Sequence, residues 1–228
     1  MLQCTRRVAA RQMIAHLACP LAAQEGLLLG VGFEQQWPGD GQLDDVAVGG
    51  AQAAALVAMV ARVTVGKKKY AHVETQMLKL IEKAEALKTT LIGCVQEDAD
   101  SFDGYIQATR LPKGTDEENN RREKAVEAAT LHAAKVPRRV AGLAMDVLRM
   151  AVEAAELGNV NAISDAASAA HLAVAAVKGA GLNVLINQKG LKNPSVIDDM
   201  VKDLVDFEIE TIEIGKRLTN VLQERAGL

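Results

Sequence analysis

The spacing of apolar residues divides the chain near residue 50. From Gly26 to Gly50 the sequence is rich in glycine, contains Trp-Pro-Gly, and holds no sustained helical period, which predicts loop or weakly ordered structure. From Ala51 onward long helical patterns are separated by short connections. A first helix is predicted over about Ala51–Val65. It is apolar nearly all round, which places it at the centre of the fold. After the interruption "GKKKY", a second is predicted over about Ala71–Thr109. Val73, Met77, Leu80, Leu87, Leu91, Val95, Phe102 and Ile106 form its stripe, and Leu111-Pro112 ends it.

A third helix opens at "TDEE", where Thr115 and Glu118 have the spacing of a capping box. It continues to about Leu157, with Pro137 inside as a kink and Gly158 as terminator. The fourth begins near Asn161 and is predicted to weaken beyond Val177, because Gly179 and Gly181 follow. The fifth starts with Asn193 as cap and Pro194 at its first position and runs close to the C-terminus. The expected fold is therefore an all-α bundle of about five long, mostly antiparallel helices. Residues 1–49 are expected as an atypical N-terminal segment and residues 50–228 as the helical domain.

Composition narrows the function classes. Aromatic residues make up 3% of the 228, which favours packed helices over sheets. The net charge of -3 provides no basic surplus for nucleic acid. Cys4, Cys19 and Cys94 are odd in number and lack CxxC spacing, which argues against disulfides and zinc. The longest apolar run, Ala162–Val177, is too short to cross a bilayer, so no membrane span is expected. The first 24 residues carry Arg6, Arg7 and Arg11 and no acid, the look of a mitochondrial transit peptide. Cytoplasm is the default location and the mitochondrion the alternative.

Two acids stand out. Asp165 is the lone charge between Glu156 and Lys178. As an acid near a helix start it suits the dipole, and as a carboxylate in an apolar segment it suits chemistry; the residues alone leave both open. Asp98 lies three residues after Val95 and four before Phe102, on the core-facing stripe of the second helix. A carboxylate there needs partners or a polar cavity. No His has a Glu three residues before it, as a di-metal bundle requires, and no HExxH, P-loop, GxGxxG or GxSxG occurs. The lysines of "GKKKY" suit either a solvated turn or an anion site.

"ARVTVGKKKY", "EDADSF", "RLPKGTDEE", "KVPRRVA", "GNVNAISDAASAA" and "NVLINQKGL" stand in the order found in the formiminotransferase-cyclodeaminase C-terminal family. From about Gly50 to the C-terminus the chain resembles that family, which includes cyclodeaminase domains and methenyltetrahydrofolate cyclohydrolases. The resemblance implies an all-α folate enzyme without metal or separate cofactor, forming a homodimer or higher oligomer. It implies conversion of 5-formiminotetrahydrofolate to 5,10-methenyltetrahydrofolate and ammonia, a step of histidine degradation. The alternatives are cyclohydrolase activity and a non-catalytic folate-binding paralogue. On this resemblance Asp98 and Asp165 are the catalytic carboxylates. Asn161, Ser164, Asn183 and Asn187 are the substrate's polar partners, and Lys67 and Lys68 attract its glutamate tail, which can be polyglutamylated. The family's Pro-Gly-Gly-Gly-Ser loop is missing: ungapped counting places its serine at Asp44, where the chain reads "GQLDD".

Overall fold

The computed structural model describes residues 42–228, which form five long helices joined by short turns, with no strand among them. They are α1 (Gln42–Arg62), α2 (Glu74–Thr109), α3 (Asp116–Leu157), α4 (Ile163–Lys189) and α5 (Asp198–Ala226). Single 3-10 turns precede α2, α4 and α5. The transit-peptide reading and the glycine-rich stretch up to residue 41 lie outside the described residues.

Two predicted boundaries are wrong, for one reason. α1 begins nine residues before Ala51, at Gln42, so Asp44 lies inside a helix rather than in a loop. α4 runs past Val177 to Lys189. In both cases glycines that look like breakers in the sequence lie inside helices, and Gly50 and Gly179 stand where helices touch. A Cβ on Gly179 would lie 2.6 Å from Val46 Cγ2, and one on Gly50 would lie 3.3 Å from Leu91 Cδ1 and 3.6 Å from Ala176 Cβ. Losing about 1 kcal/mol of helix propensity per glycine is offset by the close approach of two backbones. The membrane expectation also changes in detail. Val160–Lys189 and Asp45–Arg62 are long and apolar enough to span a bilayer, but both carry stripes buried in the bundle.

The same contacts set the helix directions. Arg62 Nη2 donates to Glu85 Oε1 at 2.7 Å while Gly50 faces Leu91, so α1 and α2 are antiparallel. Val46 faces Gly179 and Gly50 faces Ala176, so α1 and α4 are antiparallel too. α1 thus sits between α2 and α4 and also packs on α3. Its buried residues are almost all alanine and valine, from Ala47 to Ala61. The Thr115 capping box forms as predicted: Glu118 N–H donates to Thr115 Oγ1 at 3.2 Å, and Thr115 N–H donates to Glu118 Oε2 at 3.1 Å. α3 continues through Pro137. Asn193 caps the Pro194–Ile197 turn rather than α5 itself.

α5 is the shallowest helix, burying Thr211, Ile214 and Leu218. Ion pairs fasten it: Arg138 to Asp203, Arg149 to Glu210, Arg217 to Glu156 and Lys178 to Glu208. The Arg149 hydrogen bonds hold the Glu210 carboxyl below its ordinary value of 4.5. A depressed folded-state value contributes stability that is complete above the unfolded value and drains as pH falls. Both partners are well exposed, so the pair is worth less than about 1 kcal/mol.

Two outcomes follow. Gly179→Ala should cost roughly 1–3 kcal/mol in urea unfolding, through overpacking against Val46. Adding Val46→Ala should recover most of that loss. On acidification, amide exchange in α5 should accelerate from about pH 4.5 downward, before α1 or α4 loosens. Arg149→Met should remove part of this acid sensitivity.

Candidate functional site

The turn between α3 and α4 is assembled from three distant parts of the chain. Gly158 ends α3 pressed against α1: a Cβ there would lie 2.5 Å from Ala154 O and 3.0 Å from Val60 Cγ1. Asn159 N–H donates to Thr64 Oγ1 at 2.8 Å, and that hydroxyl donates to Val60 O at 2.7 Å. Val160 N–H donates to the Tyr70 hydroxyl at 3.0 Å. Asn161 N–H donates to Asn159 Oδ1 at 3.1 Å, while Asn159 Nδ2 donates to Val63 O at 3.2 Å. From α5, Arg225 donates to Ala155 O and Gly158 O.

This turn delivers Asp165 in the first turn of α4, half-buried on the side facing α1. Among the described residues, no hydrogen bond or ion pair holds its carboxylate. Asn161 and Ser164 are exposed beside it. Lys67 and Lys68 are exposed on the segment that Thr64 and Tyr70 tie to this same turn, and Lys69 Nζ stands 5.5 Å from the Tyr70 ring centroid. Asp165, Asn161, Ser164, Lys67 and Lys68 therefore lie at the same end of the bundle.

Asp98 belongs to the other end. It is half-buried on α2, and Ser101 Oγ donates to its carbonyl at 2.8 Å. Next to it, Glu97 accepts two bonds of 2.6 Å from Arg139 of α3. Burial pushes the neighbouring Cys94 thiol above its ordinary value, and Arg139 works against that rise. Asn183 and Asn187 of α4 lie toward this end. Asn187 Nδ2 donates to Asn183 O at 3.1 Å and Ala133 O at 3.4 Å, while its Oδ1 is buried without a partner among the described residues.

The two acids do not meet within one chain. Gly50 touches both Leu91 and Ala176, so those residues share a level, and α2 and α4 run parallel. Asp98 lies two turns after Leu91, about 10 Å one way, and Asp165 three turns before Ala176, about 16 Å the other way. Along α3, the five turns from Arg139, beside Glu97, to Leu157, which leads into α4, again give about 25 Å. The residues expected as one site form two groups at opposite ends of the bundle. Thr64, Tyr70 and Asn159 were not singled out from the sequence, although all three lie in the motifs "ARVTVGKKKY" and "GNVNAIS". Among the described residues no three His, Cys, Asp or Glu side chains could hold a metal ion. His72, His132 and His171 are exposed.

The family model described as formiminotransferase-cyclodeaminase matches residues 26–206. The chain belongs to this family. The match begins well before Gly50, where the motifs alone placed its onset. Methenyltetrahydrofolate cyclohydrolase of Methylorubrum extorquens is 36% identical over 203 residues, covering 89% of this chain and 97% of that protein. Formimidoyltransferase-cyclodeaminase of Mus musculus is 32% identical over 82% of this chain, which spans 33% of that longer protein. The crystal structure of formiminotetrahydrofolate cyclodeaminase from Thermotoga maritima superposes with a TM-score of 0.72 at 29% identity. The match covers 84% of this chain and 91% of that one. The all-α bundle is thus the family's fold, and folate one-carbon chemistry is the family's field.

An acid with no partner among the described residues contributes little to their folding. Asp165→Asn should change the unfolding free energy by no more than about 1 kcal/mol, the scale of a helix-dipole interaction. Thr64→Val, which strips the buried Asn159 N–H of its acceptor, should cost about 1–3 kcal/mol. Urea titration of the two variants checks the contrast.

Proposed function

We propose that the protein is a methenyltetrahydrofolate cyclohydrolase. The observation that carries this reading is the 36% identity along 97% of a cyclohydrolase. Water adds to the methenyl carbon of 5,10-methenyltetrahydrofolate, the bond to N5 breaks, and 10-formyltetrahydrofolate and a proton leave. The one-carbon unit keeps its oxidation level, so the reaction needs no redox cofactor. Asp165, half-buried and without a partner among the described residues, is suited to take the proton from the attacking water. Lys67 and Lys68 at the same end suit the substrate's glutamate carboxylates. Cyclodeamination is the second reading, supported by the likeness to the Thermotoga maritima enzyme. There N10 attacks the formimino carbon and loses a proton, and the departing nitrogen gains one and leaves as ammonia.

We also infer that the working form is a homodimer in which Asp98 of one copy joins Asp165 of the other. Their separation of about 25 Å in one chain rules out a shared site there. A two-fold axis across the helices would bring opposite ends together. The outer face of α1 is suited to that contact. Between Asp45 and Arg62 it carries no charge and exposes Val48 and Met59, with Val63 just beyond, and Leu78 and Ile92 are exposed on α2. Antiparallel pairing of two such faces sets Asp45 against the partner's Arg62.

The test follows the methenyl absorption band with each folate substrate. Loss of the band from methenyltetrahydrofolate identifies the cyclohydrolase; gain from formiminotetrahydrofolate, with ammonia, identifies the cyclodeaminase. Asp98→Asn and Asp165→Asn should each reduce turnover to a small residual rate. Mixed after dissociation, they should recover about a quarter of wild-type activity, since half the dimers hold one intact site of two. Full activity in either variant alone, or no recovery on mixing, would reject the shared site.

A further inference from the structure

We propose that Thr64 and Tyr70 are positioning residues that set the rotation of α4 and hold the Asp165 carboxylate at a fixed place relative to Lys67–Lys69. This rests on the reading of Asp165 as the group that moves the proton. The first N–H groups of a helix have no partner within it, and one capping side chain usually serves them. On the 3-10 turn that leads into α4, three successive N–H groups each have a different side-chain acceptor. Asn159 N–H reaches Thr64 Oγ1, Val160 N–H reaches the Tyr70 hydroxyl, and Asn161 N–H reaches Asn159 Oδ1. The last is local capping; the first two come from residues 95 and 90 positions earlier in the chain.

Both remote groups are in the core, Thr64 at 1% exposure and Tyr70 at 6%. Thr64 is fixed in turn by its bond to Val60 O. Arg225 holds the preceding carbonyl, Gly158 O, at 2.9 Å. The reason to fix this entry so heavily is angular. A slip of α4 by one residue turns every side chain on it by about 100°, which would move Asp165 off the side facing α1. The Gly179–Val46 contact resists such a slip at mid-helix, and the two remote hydrogen bonds resist it at the entry.

The two clamp points also bracket Lys67, Lys68 and Lys69 in sequence. One pair of hydrogen bonds therefore ties both ends of the cationic segment to the turn that carries the carboxylate. A ligand with a reacting centre and a distant anionic tail meets two groups whose spacing is preset.

Thr64→Val and Tyr70→Phe each remove one acceptor at nearly constant shape, and Thr64→Ser keeps it. With methenyltetrahydrofolate, the first two should lower kcat roughly 10- to 100-fold with little change in KM, the scale of a misplaced catalytic group. Thr64→Ser should stay near wild type. In an Asp165→Asn background neither substitution should lower the residual rate further. Wild-type kcat in both variants, or an equal loss in the Asp165→Asn background, would overturn the proposal. Two measurements do not depend on turnover: amide exchange at Asn159 and Val160, and the Asp165 carboxyl carbon resonance. Thr64→Val should expose the Asn159 amide and Tyr70→Phe the Val160 amide, and both should displace the Asp165 resonance. An unmoved resonance in both would overturn the clamp even if wild type turned over neither folate. Wild-type inactivity with a moved resonance would instead reject only the assigned reaction.

Discussion

The bundle depends on how closely α1 can approach its neighbours. α1 touches α2, α3 and α4, and the residues it presents are small: Ala47, Gly50, Ala51, Ala53, Ala54, Ala58 and Ala61, with valines between them. Small side chains bring helix axes together, and tight packing supplies dispersion contacts that a sparse set of aromatics does not. The price is sensitivity to bulk, since Gly50 and Gly179 sit where a methyl group would already press on Leu91 or Val46. With α1 so placed, the directions of α2 and α4 are decided, and so are the ends at which their polar residues emerge.

That arrangement has a chemical consequence. A helix pair running in parallel on either side of α1 separates Asp98 from Asp165 by about 25 Å. Each acid gathers its own surroundings: lysines, Asn161 and Ser164 at one end, the Arg139–Glu97 pair with Asn183 and Asn187 at the other. A single chain offers two half-equipped ends joined by an apolar outer face on α1. In the proposed homodimer, two chains related by a two-fold axis would offer two complete sets.

Much of this was legible in the sequence wherever local chemistry decides. The Thr115–Glu118 capping box and the Gly158 stop concern residues within one or two turns of each other, and both appear as expected; of the expected α2 stripe Met77, Leu80 and Leu91 are buried, while Cys94, Ser101 and Ala108 take its later buried positions. The motifs identified the family from short segments in order. Glycine was misread because its two uses look alike in one dimension. A glycine that breaks a helix and a glycine that admits a neighbouring helix differ only in what lies across from them.

Asp98 and Asp165 were each legible as unusual, because a carboxylate in an apolar stripe is costly wherever the helix goes. Their separation was not, since helix direction and register come from packing between segments far apart in the chain. The same holds for Thr64 and Tyr70, ordinary in sequence and decisive only once Asn159 and Val160 arrive beside them. The sequence by itself determined helix type, approximate ends and family, because these rest on contacts within a few residues. Which groups share an end, and which turn α4 must start from, were decided by tertiary structure, because only there do groups distant in the chain find the hydrogen-bond partners that burial demands.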